Sequence, residues 1–134
     1  FLIKTFKRDF LNTVKQLLTQ STKKYSDFVQ ETISYIQDHI AEDLSLEVLA
    51  KIVNSNESYL SRTFKKECGI SIINYITTLR IALAKDLLAG STLRTFEIAD
   101  SIGIHDAAYF SSLFKKNTGL SPKEYRNQFI HQTN

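Results

Sequence analysis

One stretch of this chain occurs twice. Residues 59–71 and 109–121 align without a gap at an offset of 50. Seven of the 13 positions are identical: Tyr59/Tyr109, Ser61/Ser111, Phe64/Phe114, Lys65/Lys115, Lys66/Lys116, Gly69/Gly119 and Ser71/Ser121. Leu60/Phe110 and Ile70/Leu120 are apolar in both copies. Chance does not produce this at a fixed spacing, so the chain contains the same small unit twice.

Each copy follows a short helical stretch carrying an alanine, with a turn residue four positions later. These are Ala50 and Asn54 in the first unit, Ala99 and Gly103 in the second. Asparagine and glycine enter left-handed backbone at least cost. A small residue on the first helix lets a second helix cross it closely. A helix, a tight turn and a second helix make a helix-turn-helix. The offset is 49 at the alanines and 50 afterwards, so the second turn holds one extra residue.

The remaining pattern is helical too, with four glycines, one proline and no run of strict alternation in 134 residues. Ile3, Phe6, Phe10, Val14, Leu17 and Leu18 mark an amphipathic helix that the polar residues 19–24 end. Ser26 or Asp27 can cap a helix with the stripe Phe28 or Val29, Ile33, Ile36 and Ile40; Ser45 caps the next, with Glu47 in its first turn. Ile72, Ile76, Leu79, Leu83 and Leu87 form one stripe of a connecting helix that Gly90 can terminate. At about 18 residues it is about 27 Å long, which would set two recognition helices about one DNA turn, or about 34 Å, apart. Ser121 and Pro122 open a last short helix. The expected fold is all-α, with about seven helices. Two helix-turn-helix subdomains, near 45–68 and 95–118, are joined by the connecting helix near 71–89, and the N-terminal amphipathic helix precedes them.

Composition narrows the function. At 43% hydrophobic and 23% charged residues the chain is globular, and its apolar runs are too short to cross a bilayer. The single Cys68 forbids an internal disulfide and favours a reducing, cytoplasmic location. A chain that starts at Phe1 and lacks methionine reads as a piece of a longer protein. Residues 1–24 hold six basic groups against Asp9, whereas the remainder carries 11 basic and 13 acidic groups, so local placement rather than bulk charge must carry any nucleic-acid argument. No catalytic site, metal site or cofactor is expected. His39, His105 and His131 are far apart and lack metal-ligand spacing, Glu42 and Asp43 suit a helix dipole, and no glycine-rich phosphate loop exists.

The chemistry lies on the repeats. In the first, Leu60, Thr63 and Phe64 share the core side, while Ser58, Ser61, Arg62 and Lys65 face outward with Lys66 at the edge. Arginine can make a paired hydrogen bond to guanine, serines can meet bases or phosphates, and lysines neutralise phosphate. A solvated face is the commoner fate of one such helix; the duplication and the turn chemistry favour the groove. The second unit presents Ala108, Ser111, Ser112 and Lys115, with Lys116 beside them and no arginine, so it suits phosphates and, through Ala107 or Ala108, a thymine methyl. An adaptor bundle would show apolar anchors on these faces instead.

Residues 28–126 resemble the DNA-binding domain of the AraC/XylS family. The matching stretches are Tyr35-Ile36, His39-Ile40, Leu44 to Glu47, Tyr59 to Arg62, Phe64 to Glu67, Gly69, Arg80, Ala84, Leu87-Leu88, Glu97 to Ala99, Gly103, Tyr109-Phe110, Phe114 to Lys116, Gly119 and Ser121 to Arg126. The resemblance implies double-stranded promoter DNA as partner, and control of transcription, most often activation through contact with RNA polymerase. It places base contacts on Ser58, Ser61, Arg62, Ala107, Ala108, Ser111 and Ser112, while Lys65, Lys66, Lys115 and Lys116 supply phosphate contacts. Residues 1–27 are then the linker or tail of an absent sensing or dimerising domain, or a local helix packed on the module, and residues 127–134 a C-terminal tail. The isolated module is expected to be monomeric and not membrane-bound, with any dimer of the full-length protein formed through that absent domain. Two positions depart from the family pattern. Ile104 replaces the usual aromatic, and Ser112 replaces a frequent arginine.

Overall fold

The computed structural model describes residues 25–132; the amphipathic helix expected over residues 1–20 lies outside them. Seven helices and no strand occur among the described residues: α1 Asp27–Asp38, α2 Leu46–Ile52, α3 Glu57–Cys68, α4 Ile72–Gly90, α5 Thr95–Ser101, α6 Ala107–Thr118 and α7 Pro122–Gln132. The all-α expectation with two helix-turn-helix units holds. The chain divides into two compact units within α4, after Thr78.

Side-chain caps start most of these helices. The Val48 amide donates to the Ser45 hydroxyl (3.3 Å), that of Tyr59 to the Asn56 side chain (2.8 Å), and that of Asn74 to the Ser71 hydroxyl (3.1 Å). The Asp106 carboxylate accepts from Ala108 and Tyr109, and Ser121 and Glu124 cap each other reciprocally. Such caps contribute about 1 kcal/mol each. Two expected signals act differently. Ser26 occupies the N-cap of α1, but its hydroxyl makes no cap bond and donates to Glu67 instead. Gly90 is the last residue of α4 and does not take left-handed backbone. The helix stops because the Ser91 hydroxyl donates to Leu87 O (2.6 Å) and the Arg126 guanidinium covers the following carbonyls. α7 continues through residues 127–132, where the sequence reading expects a tail, because Phe129 packs its ring on Tyr125 at 5.2 Å.

In the first unit the buried stripe of α1 is Val29, Ile33, Ile36 and Ile40, which joins Leu49, Leu60, Phe64, Ile72 and Ile76 in the core. Of the two candidates at the start of that stripe, Val29 is fully buried and Phe28 half-buried. The second core gathers Leu79, Leu83, Leu87, Leu88, Ile98, Ile102, Phe110 and Phe114. Both cores contain an edge-on aromatic pair, Phe64–Tyr75 at 5.7 Å and Phe114–Tyr125 at 5.5 Å. Tyr75 and Tyr125 are also 50 residues apart, so the duplication extends beyond residue 71. The buried Gln37 amide donates to the Tyr75 hydroxyl at 3.0 Å. Burial pushes that phenol up to about 12, against the opposing pull of the Gln37 bond. The Tyr125 phenol is raised as well, first by burial and then by the nearby charge of Asp86.

Candidate nucleic-acid interface

In the first turn Asn54 takes a φ of 53°, and the next amide, of Ser55, donates to Ala50 O at 2.8 Å. In the second Gly103 takes a φ of 89°, and Ile104 donates to Ala99 O at 2.9 Å. Both alanines are buried, as a close helix crossing requires. The extra residue of the second turn is therefore absorbed after this shared bond and before the Asp106 cap. It is His105, whose Nδ1 lies 2.6 Å from the Asp100 carboxylate on the open surface. Ile104 is buried, so it fills the core position the resemblance assigns to an aromatic.

These turns project α3 and α6 with their apolar sides inward. Leu60 and Phe64 in α3, and Phe110 and Phe114 in α6, are fully buried. Thr63 is only half-buried, so the inward stripe of α3 is narrower than expected. On the outer side Ser58, Arg62, Lys65 and Lys66 are exposed and Ser61 is half-buried. The steps of three, four and seven residues from Ser58 place Ser61, Arg62 and Lys65 along one stripe. Arg62 Nε donates to Ser58 O at 3.3 Å, which lays the side chain along the helix and leaves both terminal nitrogens for an outside acceptor. On α6, Ala107, Ala108, Ser112, Lys115 and Lys116 are exposed and Ser111 is half-buried. None of the four lysines forms an ion pair within the described residues. Each sits in the last turn of its helix, where the dipole favours positive charge. Gly69 and Gly119 close those turns in left-handed backbone, at φ 83° and 84°.

In each unit, then, an exposed polar stripe carries two lysines at the end of a turn-linked helix. Among the described residues no group of His, Cys, Asp and Glu can hold a metal ion, and no helix is long and apolar enough to cross a membrane.

Residues 49–128 match the helix-turn-helix domain family. The chain is 32% identical over 125 residues to the arabinose operon regulatory protein of Escherichia coli, covering 87% of this chain and 43% of that protein. The chain belongs to the AraC/XylS family. This AraC/XylS module is also 39% identical over 101 residues to the bifunctional transcriptional activator/DNA repair enzyme AdaA of Bacillus subtilis, covering 75% of the chain and 48% of AdaA. Its fold matches the C-terminal domain of AraT, a response regulator from Geobacillus stearothermophilus, with a TM-score of 0.77 and 40% identity over 78% of this chain and 88% of that one. The module spans about half the length of the curated relatives it matches.

Sequence reasoning placed every candidate contact of the module on α3 or α6, and missed residues that brace those helices. Phe28 stacks on Tyr59 (5.5 Å), whose own ring is half exposed. Glu67 accepts two hydrogen bonds from Ser26. Arg126 reaches 38 residues back to α4. Tyr59, Glu67 and Arg126 lay inside the stretches that carry the resemblance, and the Tyr75/Tyr125 pair was visible by extending the repeat, but nothing in the pattern named their partners.

Proposed function

We propose that this module binds double-stranded promoter DNA in a sequence-specific manner, with α3 and α6 in the major groove, as the DNA-binding part, residues 28–126, of a bacterial transcription regulator. The observation that carries this reading is the repeated outward stripe of hydroxyl and ammonium groups on two turn-linked helices, joined on the first by the Arg62 guanidinium. Ser58, Ser61 and Arg62 read bases from α3, and Ala107, Ala108, Ser111 and Ser112 meet them from α6. Lys65, Lys66, Lys115 and Lys116 hold phosphates. Activation through RNA polymerase is the sense we propose, supported by the similarity to AdaA, a transcriptional activator. The module is monomeric and cytoplasmic and has no catalytic role. Residues 1–27 are the linker or tail of a sensing or dimerising domain.

A binding selection with the whole chain supplies a preferred duplex, on which two variants are then compared. Arg62→Ala should cost about 1–3 kcal/mol on that duplex and little on random sequence, if the guanidinium makes a paired contact to guanine. Lys65→Ala should weaken both duplexes alike and flatten the salt dependence by about one charge. Equal, sequence-independent losses in both variants would make Arg62 a backbone clamp and defeat the assignment.

A further inference from the structure

α3 is fastened to the first residues of α1 at two places. Near its N-terminal end Tyr59 stacks on Phe28 at 5.5 Å. In its last turn both Glu67 carboxylate oxygens are engaged: Oε1 accepts from the Ser26 backbone N–H at 2.7 Å, and Oε2 from the Ser26 hydroxyl at 2.8 Å. Tyr25 joins the cluster, its phenol raised by burial and by the neighbouring Cys68 and Glu67. Ser26 and Phe28 thus contact α3 near both of its ends. Glu67 itself immediately follows Lys65 and Lys66.

We infer that Glu67 is a positioning residue for DNA recognition, holding the last turn of α3 against the chain entry at Ser26 so that the base-reading stripe keeps its register in the groove. This rests on the proposed DNA-binding role of α3. Hydrogen bonds to an ionised acceptor are short and strong, and two from one residue fix orientation as well as distance. Base readout tolerates little displacement, so loosening this end should reduce specific binding more than non-specific binding. The contact also gives any segment attached before Tyr25 a direct handle on the recognition helix.

Electrostatics alone predicts the opposite sign. Glu67→Gln removes a negative charge beside Lys65 and Lys66, which by itself should tighten binding to any duplex. Positioning predicts at least about five-fold weaker binding to the preferred duplex, with random duplex unchanged or tighter. Ser26→Pro tests the other partner without altering charge. The backbone at Ser26, with φ −61° and ψ 155°, already suits proline, and the substitution removes both donors. It should reproduce the specific loss, and the double variant should lose little more than either single one. Ser26→Ala keeps the N–H bond, folds most like the parent, and should show a smaller loss of the same kind.

All variants are titrated as the full chain, well below their unfolding temperatures, against the preferred and random duplexes. If Glu67→Gln tightens both, and the Ser26 variants bind like the parent even where unfolding temperature drops, Glu67 is a stabilising brace only and the inference fails. If the parent chain does not distinguish the two duplexes, the DNA-binding reading falls first, and the inference with it.

Discussion

Replacing Arg126 by alanine should uncap the C-terminal end of α4 and destabilise the second unit by about 2–3 kcal/mol. The guanidinium reaches three carbonyls: Leu88 O from Nε at 3.0 Å, Ser91 O from Nη2 at 3.2 Å and Leu87 O from the same nitrogen at 3.5 Å. These do not count equally. Leu87 O already accepts from the Ser91 amide at 3.1 Å and the Ser91 hydroxyl at 2.6 Å, so the longest bond is expendable. Two charge-assisted bonds remain, for which a removed partner typically costs about 1.5–3 kcal/mol each. The cleft beside them, bordered by Leu88, Ser91, Thr92 and Phe129, is open enough for water to replace part of what is lost. Water therefore recovers part of a nominal sum of about 3–6 kcal/mol and leaves about 2–3 kcal/mol, of which a few tenths belong to the cation at a helix C-terminus.

Urea unfolding of Arg126→Ala and Arg126→Lys against the parent measures the effect. Amide exchange of Leu87 to Ser91 then shows whether the loss is local, which matters in a chain of two compact units that need not unfold together. Lysine should recover no more than about half, because it lacks the planar fork that spans two carbonyls at once. A loss under about 0.5 kcal/mol for alanine, or full recovery by lysine, would show that the carbonyls are equally well solvated by water and refute the capping argument.

Two further outcomes follow from the backbone and from the buried phenol. A Cβ at Gly69 would meet nothing within 4 Å, so Gly69→Ala should cost only the left-handed backbone penalty of about 1–2 kcal/mol, read from the urea midpoint; a larger loss would reveal crowding. The Tyr75 phenol, ordinarily near 10, is held at about 12 in the folded chain, so between those values the folded state retains a proton that the unfolded state has released. Stability should therefore fall as pH rises from about 10 to about 12, more steeply than in Tyr75→Phe measured alongside; parallel curves would mean the phenol titrates normally.

Much of the architecture was legible in sequence because a few positions allow few residues. Asn54 and Gly103 marked the two turns, since left-handed backbone there excludes most side chains, and both take it. The stripe Ile72, Ile76, Leu79, Leu83 and Leu87 gave α4 because a buried helix face must repeat at that spacing. What remained hidden has a common cause. Glu67 and Arg126 bind backbone groups, at Ser26 and at Leu88 and Ser91, across gaps of 41, 38 and 35 residues. Every residue type offers the same amide or carbonyl, so no pattern of side chains announces such a bond. Gly90 marked the end of α4 correctly, but not through left-handed backbone: a hydroxyl and a guanidinium supply the stop. Polar residues 127 and 128 resembled a tail, while Phe129 carried the helix on.

The two units share their packing and differ in one respect that bears on the proposed function. Buried positions match because packing sets them: Leu60 with Phe110, Phe64 with Phe114, Ala50 with Ala99; the half-buried Tyr75 and Tyr125 match as well. The lysine pairs at the helix ends match too, as the proposed phosphate contacts would require, since phosphates are alike beneath any sequence. On the proposed base-reading stripe Ser61 and Ser111 are the same residue, while Ser58 and Arg62 of α3 correspond in sequence to Ala108 and Ser112 of α6. One guanidinium fork can distinguish guanine by two hydrogen bonds, whereas a lone hydroxyl donates to one base as readily as it accepts from another, and alanine offers only apolar contact. On the proposed reading, both helices therefore hold DNA through the same charges, and the first does most of the discriminating.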